Sequence, residues 1–396
     1  MSKFIVVFAL WGSLSVQHLY ALTLNESLAL ARAHSPELAA ARAEREALAA
    51  EAPGAGAWAN PGLGAEVEGV GGGQEEYTLT IVQEIPLTRR LRHGRRAAQQ
   101  AVVAADLAVI EAQRALDLAV HRAFIETFAG QEIQEIRAEQ AALGREAVAT
   151  ARNRHQAGAA SEWDGVQAEM ALEEIELEHA NAQAELENAR KALGRLIGRP
   201  PSEWKVLEGD YWQPLEPDSG AAHRGDPPAL QRWDALVRQA EAEAAAAKSG
   251  GVPDLALGAG VRHAKADGEN TMLFSVSMPL PLFARAGPAS RSASWRVEAL
   301  RAEAEAAKRA LETERDEARS ALDLAEAAAR RHQDRLLPLA ERALTLCQEG
   351  YETGQRSWME LIQARQAQGE AAIQSVLTRR AAHLARATYQ QLHFEE

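Results

Sequence analysis

The chain has 396 residues, 46% of them hydrophobic, 25% charged and only 5% aromatic. That apolar content excludes a disordered chain, and long Ala/Glu/Arg/Leu-rich stretches predict extended helices rather than a thick globular core. One cysteine, Cys347, excludes a disulfide framework and a Cys-rich metal site, and a formal charge of -13 argues against a nucleic-acid partner.

Residues 1–21 read as a signal peptide: Lys3, the apolar run Phe4–Leu10, then Leu14, Val16 and Leu19, with the small Ala21 at the cut. The mature chain then starts at Leu22, across a membrane. No later window holds the roughly 18 apolar residues of a membrane-spanning helix, so any insertion of the mature chain must use strands.

The rest reads as two copies of one plan. A helix is expected over Asn25–Ala52, then strands over about 62–70 and 76–87, then a very long helix over Arg92–Ala157. Those 66 residues contain no proline and would reach roughly 100 Å unbroken. A turn at Gly158 leads to a return helix over Ser161–Ile197. The second copy gives a helix over Ala229–Lys248, strands over about 253–263 and 270–282, and a long helix over Ser290–Thr353, interrupted only by Pro338 and Gly350. A turn at Gly354 and a return helix over Gln355–His393 complete it. Gly354, Ser357, Glu360 and Ala364 repeat Gly158, Ser161, Asp164 and Ala168 at a constant offset of 196, and Pro228 and Pro253 repeat Pro36 and Pro61 at 192. The repeats are therefore 22–198 and 229–396. Residues 199–228, rich in Pro, Gly and acids, read as an extended connector.

The strands alternate with period two. Leu63, Ala65 and Val67 oppose Glu66 and Glu68; Tyr77, Leu79 and Ile81 oppose Thr78 and Thr80; Leu257, Ala259 and Val261 oppose Gly258, Gly260 and Arg262; Met272, Phe274 and Val276 oppose Thr271, Ser275 and Ser277. Such alternation suits a barrel wall with lipid outside and water inside, and equally a half-buried soluble sheet. Four strands cannot close a membrane barrel, and open edges in lipid leave backbone groups unpaired. Strands that enter a bilayer here must come from an oligomer.

This arrangement resembles the outer-membrane efflux proteins of the TolC family over nearly the whole mature chain. The opening Leu22-Thr23-Leu24-Asn25-Glu26-Ser27-Leu28 is typical of that family. Asn60-Pro61-Gly62-Leu63-Gly64, the Gly71-Gly72-Gly73 hairpin and Gln83-Glu84-Ile85-Pro86-Leu87 running into Arg95-Arg96 are similar to its heavy-metal branch. The resemblance implies a mainly α fold with membrane β: a homotrimer whose 12-stranded outer-membrane barrel joins a periplasmic α-helical barrel. It also implies a passive, gated conduit serving an inner-membrane pump of the resistance–nodulation–division (RND) type and its periplasmic adaptor.

By the same resemblance the gate lies at the helix tips, about 155–168 and 351–365. Tyr351 and Arg356 match positions that tie neighbouring tips together, with Asp164 as their partner. Glu360 and Gln363 match a pore-facing pair, so a trimer would carry a ring of three Glu. The residues also allow a purely structural role. Gly158 and Gly354 suit a turn, Ser161 and Ser357 suit N-caps, and Asp164 and Glu360 suit first helical turns. Trp163 and Trp358 are expected between helices, with adaptor contact left open. Trp58 is expected at the bilayer interface. The basic run 89–96 reads as a solvated helix start or as a contact with phospholipid headgroups.

No enzymatic motif appears. Gly69-Val70-Gly71-Gly72-Gly73-Gln74 lacks the Lys-Ser/Thr of a phosphate loop, and the eleven histidines form no i, i+4 pair. No catalytic residue, cofactor or metal site is expected. Two other readings stay open: a channel for drugs or secreted polypeptides, and a soluble periplasmic coiled-coil adaptor or scaffold.

Overall fold

A computed structural model describes residues 22–71, 74–158, 161–204, 206–208, 227–280 and 287–393. The expected signal peptide, most of the connector and the end of the fourth strand lie outside the described residues. Among those described, no helix is long and apolar enough to cross a membrane.

The elements are α1 Leu24–His34, α2 Pro36–Glu51, β1 Gly62–Glu68, β2 Glu76–Ile85, α3 Arg90–Gln156 and α4 Glu162–Ile197. The second half holds α5 Pro228–Ser249, β3 Leu255–Ala264, β4 Glu269–Ser277, α6 Gly287–Arg331, α7 Leu337–Glu352 and α8 Trp358–His393. The doubled plan is thus present, with three departures from the sequence reading. The expected helix over 25–52 is two helices. Ser35 precedes a proline, which disfavours helical geometry there; it is extended at φ -69, ψ 119 and closes α1 by donating to Ala31 O at 2.8 Å. Pro36 then opens α2 as Pro228 opens α5, each at the first turn, where the missing N–H costs nothing. The 192-residue match of these prolines is a match of helix starts.

The second departure is at Pro338. It follows a π turn over His332–Leu336, in which Leu337 N–H reaches His332 O, so the helix widens where the proline ring would strike the preceding turn. Gly350 interrupts nothing; α7 runs through it. The third is the connector, whose start carries a short turn and packs into the core. Pro201–Glu203 form a 3-10 turn, and Trp204 and Leu207 are each 2% exposed. Leu22 pairs with Leu207 and donates to Val206 O at 3.1 Å.

The chain divides into two compact units. The first comprises Met1–Ser35, Leu116–Ser219 and Ser320–Thr388. Its core gathers Leu22, Ala31, Val120, Phe124, Leu193, Ile197, Trp204 and Leu207, and Arg32 grips Asp117 through two bonds of 2.8 and 2.7 Å. Small residues let the helices approach closely: Ala129, Ala141 and Ala151 are at most 1% exposed. The buried hydroxyls of Ser27 and Thr127 donate to the carbonyls of Thr23 and Ala123, four residues back, so both are satisfied within their own helices.

The second unit comprises Pro36–Ala115, Gly220–Arg319 and Tyr389–Glu396. It holds one antiparallel sheet in the order β1-β2-β3-β4. The strands are a few residues shorter than expected, but their faces are as the alternation predicts. Leu63, Ile81, Ala259 and Phe274 lie in one cross-strand row, and Ala65, Leu79, Val261 and Met272 in the next. Gly64, Thr80, Gly260 and Leu273, then Glu66, Thr78, Arg262 and Thr271, form the opposite face. The apolar face is bare: Leu63 is 71% exposed and Phe274 81%. The outer edges of β1 and β4 have no strand beside them among the described residues.

Candidate functional site

The two tips are built alike. At the first, α3 ends at Gln156, Gly158 turns at φ 72 and donates to His155 O at 2.9 Å, and Ser161 caps α4. At the second, α7 ends at Glu352, Gly354 turns at φ 76 and donates to Tyr351 O at 3.0 Å, and α8 begins at Trp358. A positive φ is strained for any residue with a Cβ, which is why glycine recurs at the 196-residue offset. Each return helix opens with a capping box. The Asp164 carboxylate accepts from Ser161 N–H and hydroxyl, both at 2.9 Å. Glu360 accepts from Ser357 N–H at 2.8 Å, while Glu360 N–H donates to the Ser357 hydroxyl at 3.2 Å.

The tips meet in a cleft of about 540 Å³, lined by Ala151, Arg154, Asp164, Tyr351, Gly354, Arg356, Ser357 and Trp358 among others. Three of the expected gate residues, Asp164, Tyr351 and Arg356, therefore share one cleft. They do not bond one another. Asp164 is engaged by its own cap. Arg356 reaches along its own chain to Glu360, Nη1 to Oε1 at 2.6 Å. The Tyr351 hydroxyl accepts from Arg154 Nη1 at 3.1 Å, and its ring tilts against Trp358, centroids 5.4 Å apart.

The electrostatics follow. Ser357 N–H and then Arg356 hold the Glu360 carboxyl down to about 2, so it stays ionised. Ser161 N–H, its hydroxyl and the charge of Arg154 hold Asp164 below the usual carboxylate range. Gln363 is exposed on α8, one turn beyond Glu360. Trp358 packs as expected, but Trp163 does not: it is 66% exposed, because α4 turns that face away from its neighbours in the chain.

Arg154 was missing from the sequence reading. The signal was in the repeat: the equivalent of Arg154 in the second copy is Gly350. A Cβ at 350 would lie 2.6 Å from Arg356 Cγ, so glycine there makes room for the arginine to fold back onto Glu360. The cleft thus receives one arginine from each side, Arg154 and Arg356, from unequal positions.

The profile of a family described as outer membrane efflux protein matches residues 28–199 and 224–392. The chain is 25% identical over 355 residues to the cobalt-zinc-cadmium resistance protein CzcC of Cupriavidus metallidurans, covering 87% of this chain and 83% of that protein. Among solved structures it is similar to the outer membrane protein VceC of Vibrio cholerae, with a TM-score of 0.78 at 18% identity over 93% of this chain and 95% of the other. It is also similar to the CmeC outer membrane channel of Campylobacter jejuni, with a TM-score of 0.76 at 17% identity over 93% and 85%.

Proposed function

Because the chain belongs to the outer membrane efflux protein family, and is an outer-membrane channel of a tripartite efflux system with its helices in the periplasm rather than an enzyme, we propose that its cargo is heavy-metal cations. We propose equally that it works as a homotrimer with an RND pump and a periplasmic adaptor. The sheet supports assembly: four strands with a bare apolar face and two open edges need further copies to close, and three copies supply twelve strands. The tips support the gate. Asp164, Tyr351, Arg356 and Arg154 line one cleft at the turns, where a change of partner between tips can open or close a pore. Glu360, held ionised, supplies three carboxylates per trimer, a ring that favours cations over anions once Arg356 is drawn from it to another partner.

The observation that carries the metal reading is the likeness to CzcC, a cobalt-zinc-cadmium resistance protein by name, over 87% of this chain. Growth of a deletion strain on graded cobalt, zinc, cadmium, copper and silver salts tests it. A lowered tolerance to at least one divalent metal, restored by the intact gene, is expected. Unchanged tolerance to all of them, with sensitivity to dyes and antibiotics instead, assigns the channel to drugs.

A further inference from the structure

We propose that the first turns of α3 and α6, with the segment before β1, form a basic and aromatic belt that binds anionic phospholipid headgroups of the leaflet facing the helices; the inference rests on the outer-membrane placement above. The first observation is a gap in the acids. The chain carries a net charge of -13, yet there is no Asp or Glu between Glu84 and Asp106, nor between Glu269 and Glu298. These are the equivalent segments of the two repeats, and together they hold seven arginines among the described residues. The far end of the sheet is different: Glu66, Glu68, Glu75, Glu76, Asp267 and Glu269 cluster at its hairpins.

The second observation is exposure without a counter-charge. Arg90 is held by Asp254, Nη2 to Oδ2 at 2.6 Å, which fixes the start of α3 at the end of the β2–β3 pair. Arg92, Arg95, Arg96, Arg291 and Arg296 are all exposed, and none has a carboxylate partner among the described residues. Arg92, in the first turn of α3, gains nothing from its own helix, because positive charge there opposes the dipole. An unpaired arginine fork matches a phosphate, and each basic group near an anionic membrane surface adds to binding.

The third observation is exposed tryptophan close in sequence or space to these arginines. Trp295 is 74% exposed between Arg291 and Arg296 on α6, and Trp58 is 59% exposed. Trp58 lies on the segment before β1, fixed at both ends. Gly94 abuts Ala55, where a Cβ would fall 2.9 Å from the Ala55 carbonyl oxygen, and Gln83 Nε2 donates to Ala59 O at 2.9 Å. This tryptophan therefore sits between the first turns of α3 and the end of β2. Tryptophan favours the headgroup level of a bilayer.

The test is native mass spectrometry of the full chain released from nanodiscs of phosphatidylglycerol and phosphatidylcholine in equal amounts. Retained phosphatidylglycerol is expected to exceed phosphatidylcholine by about tenfold. The variant carrying R92Q, R95Q, R96Q, R291Q and R296Q should show no preference, and lysine at the same five positions should keep it. Removing three paired arginines elsewhere, R145Q, R152Q and R309Q, should leave it unchanged. Equal retention in the parent protein, or an unaltered preference in the five-glutamine variant, overturns the proposal. Displacement by inorganic phosphate but not by chloride of equal ionic strength also overturns it, since that marks a soluble-anion site. Failure to enter the nanodisc would overturn the channel reading itself, and is seen before any lipid is counted.

Discussion

At the scale of single residues, the helical unit hides a pair of histidines that carry a pH dependence. His383 on α8 is pushed down to about 4 by burial, with Arg386, His121 and Arg379 adding positive charge around it, and burial lowers His121 on α3 as well. The folded protein keeps both rings neutral at pH values where the unfolded chain, with histidine near 6.5, takes up protons. Stability is therefore complete above about pH 6.5 and falls as the pH drops toward 4. His383 is partly exposed, so the discounted loss is on the order of 1–2 kcal/mol. His383→Asn should remove most of the His383 share: between pH 7 and 5 its melting temperature should fall by less than that of the parent. Equal falls would show that the ring is protonated in the fold.

At the scale of elements, the proposed gate at the tips predicts how the conduit responds when their contacts are removed. Asp164→Ala with Tyr351→Phe and Arg356→Ser is expected to raise single-channel conductance in planar bilayers severalfold. Arg154→Gln alone should give part of that rise, because Arg154 is the group bonded to Tyr351. A conductance unchanged by all of these would remove the gate assignment. Much of this element was legible in advance. The glycine turns, the serine caps and the acidic first turns follow from local backbone chemistry, and the repeat offset located them twice. The partners were not legible, since Arg356 chooses between Asp164 and Glu360 through the space at Gly350, a property of two packed segments. The same divide explains Pro36 and Pro338. Both prolines were visible, but whether a proline starts a new helix or is absorbed by a π turn depends on the surrounding chain. At Pro36 the chain turns extended at Ser35; at Pro338 the helix continues through.

At the scale of the molecule, the sheet makes the chain incomplete. One face presents Leu63, Leu79, Ile81, Val261, Met272 and Phe274 in register, all exposed. An apolar area of that kind marks a surface built for another environment, and two open edges would template aggregation in water. In a barrel both problems vanish together: lipid covers the face and neighbouring copies pair the edges. The faces can then be told apart by charge. Phe274→Lys puts a cation on the lipid side, at a cost of about 2–4 kcal/mol near the bilayer centre, repeated in every copy of the assembly. Thr271→Lys puts the same charge on the opposite face, beside Arg262 and toward water. Outer-membrane fractions should therefore retain a heat-modifiable oligomer for the Thr271 variant and lose most of it for the Phe274 variant. If both variants assemble equally, the apolar rows do not face lipid, and the sheet must be covered by protein instead.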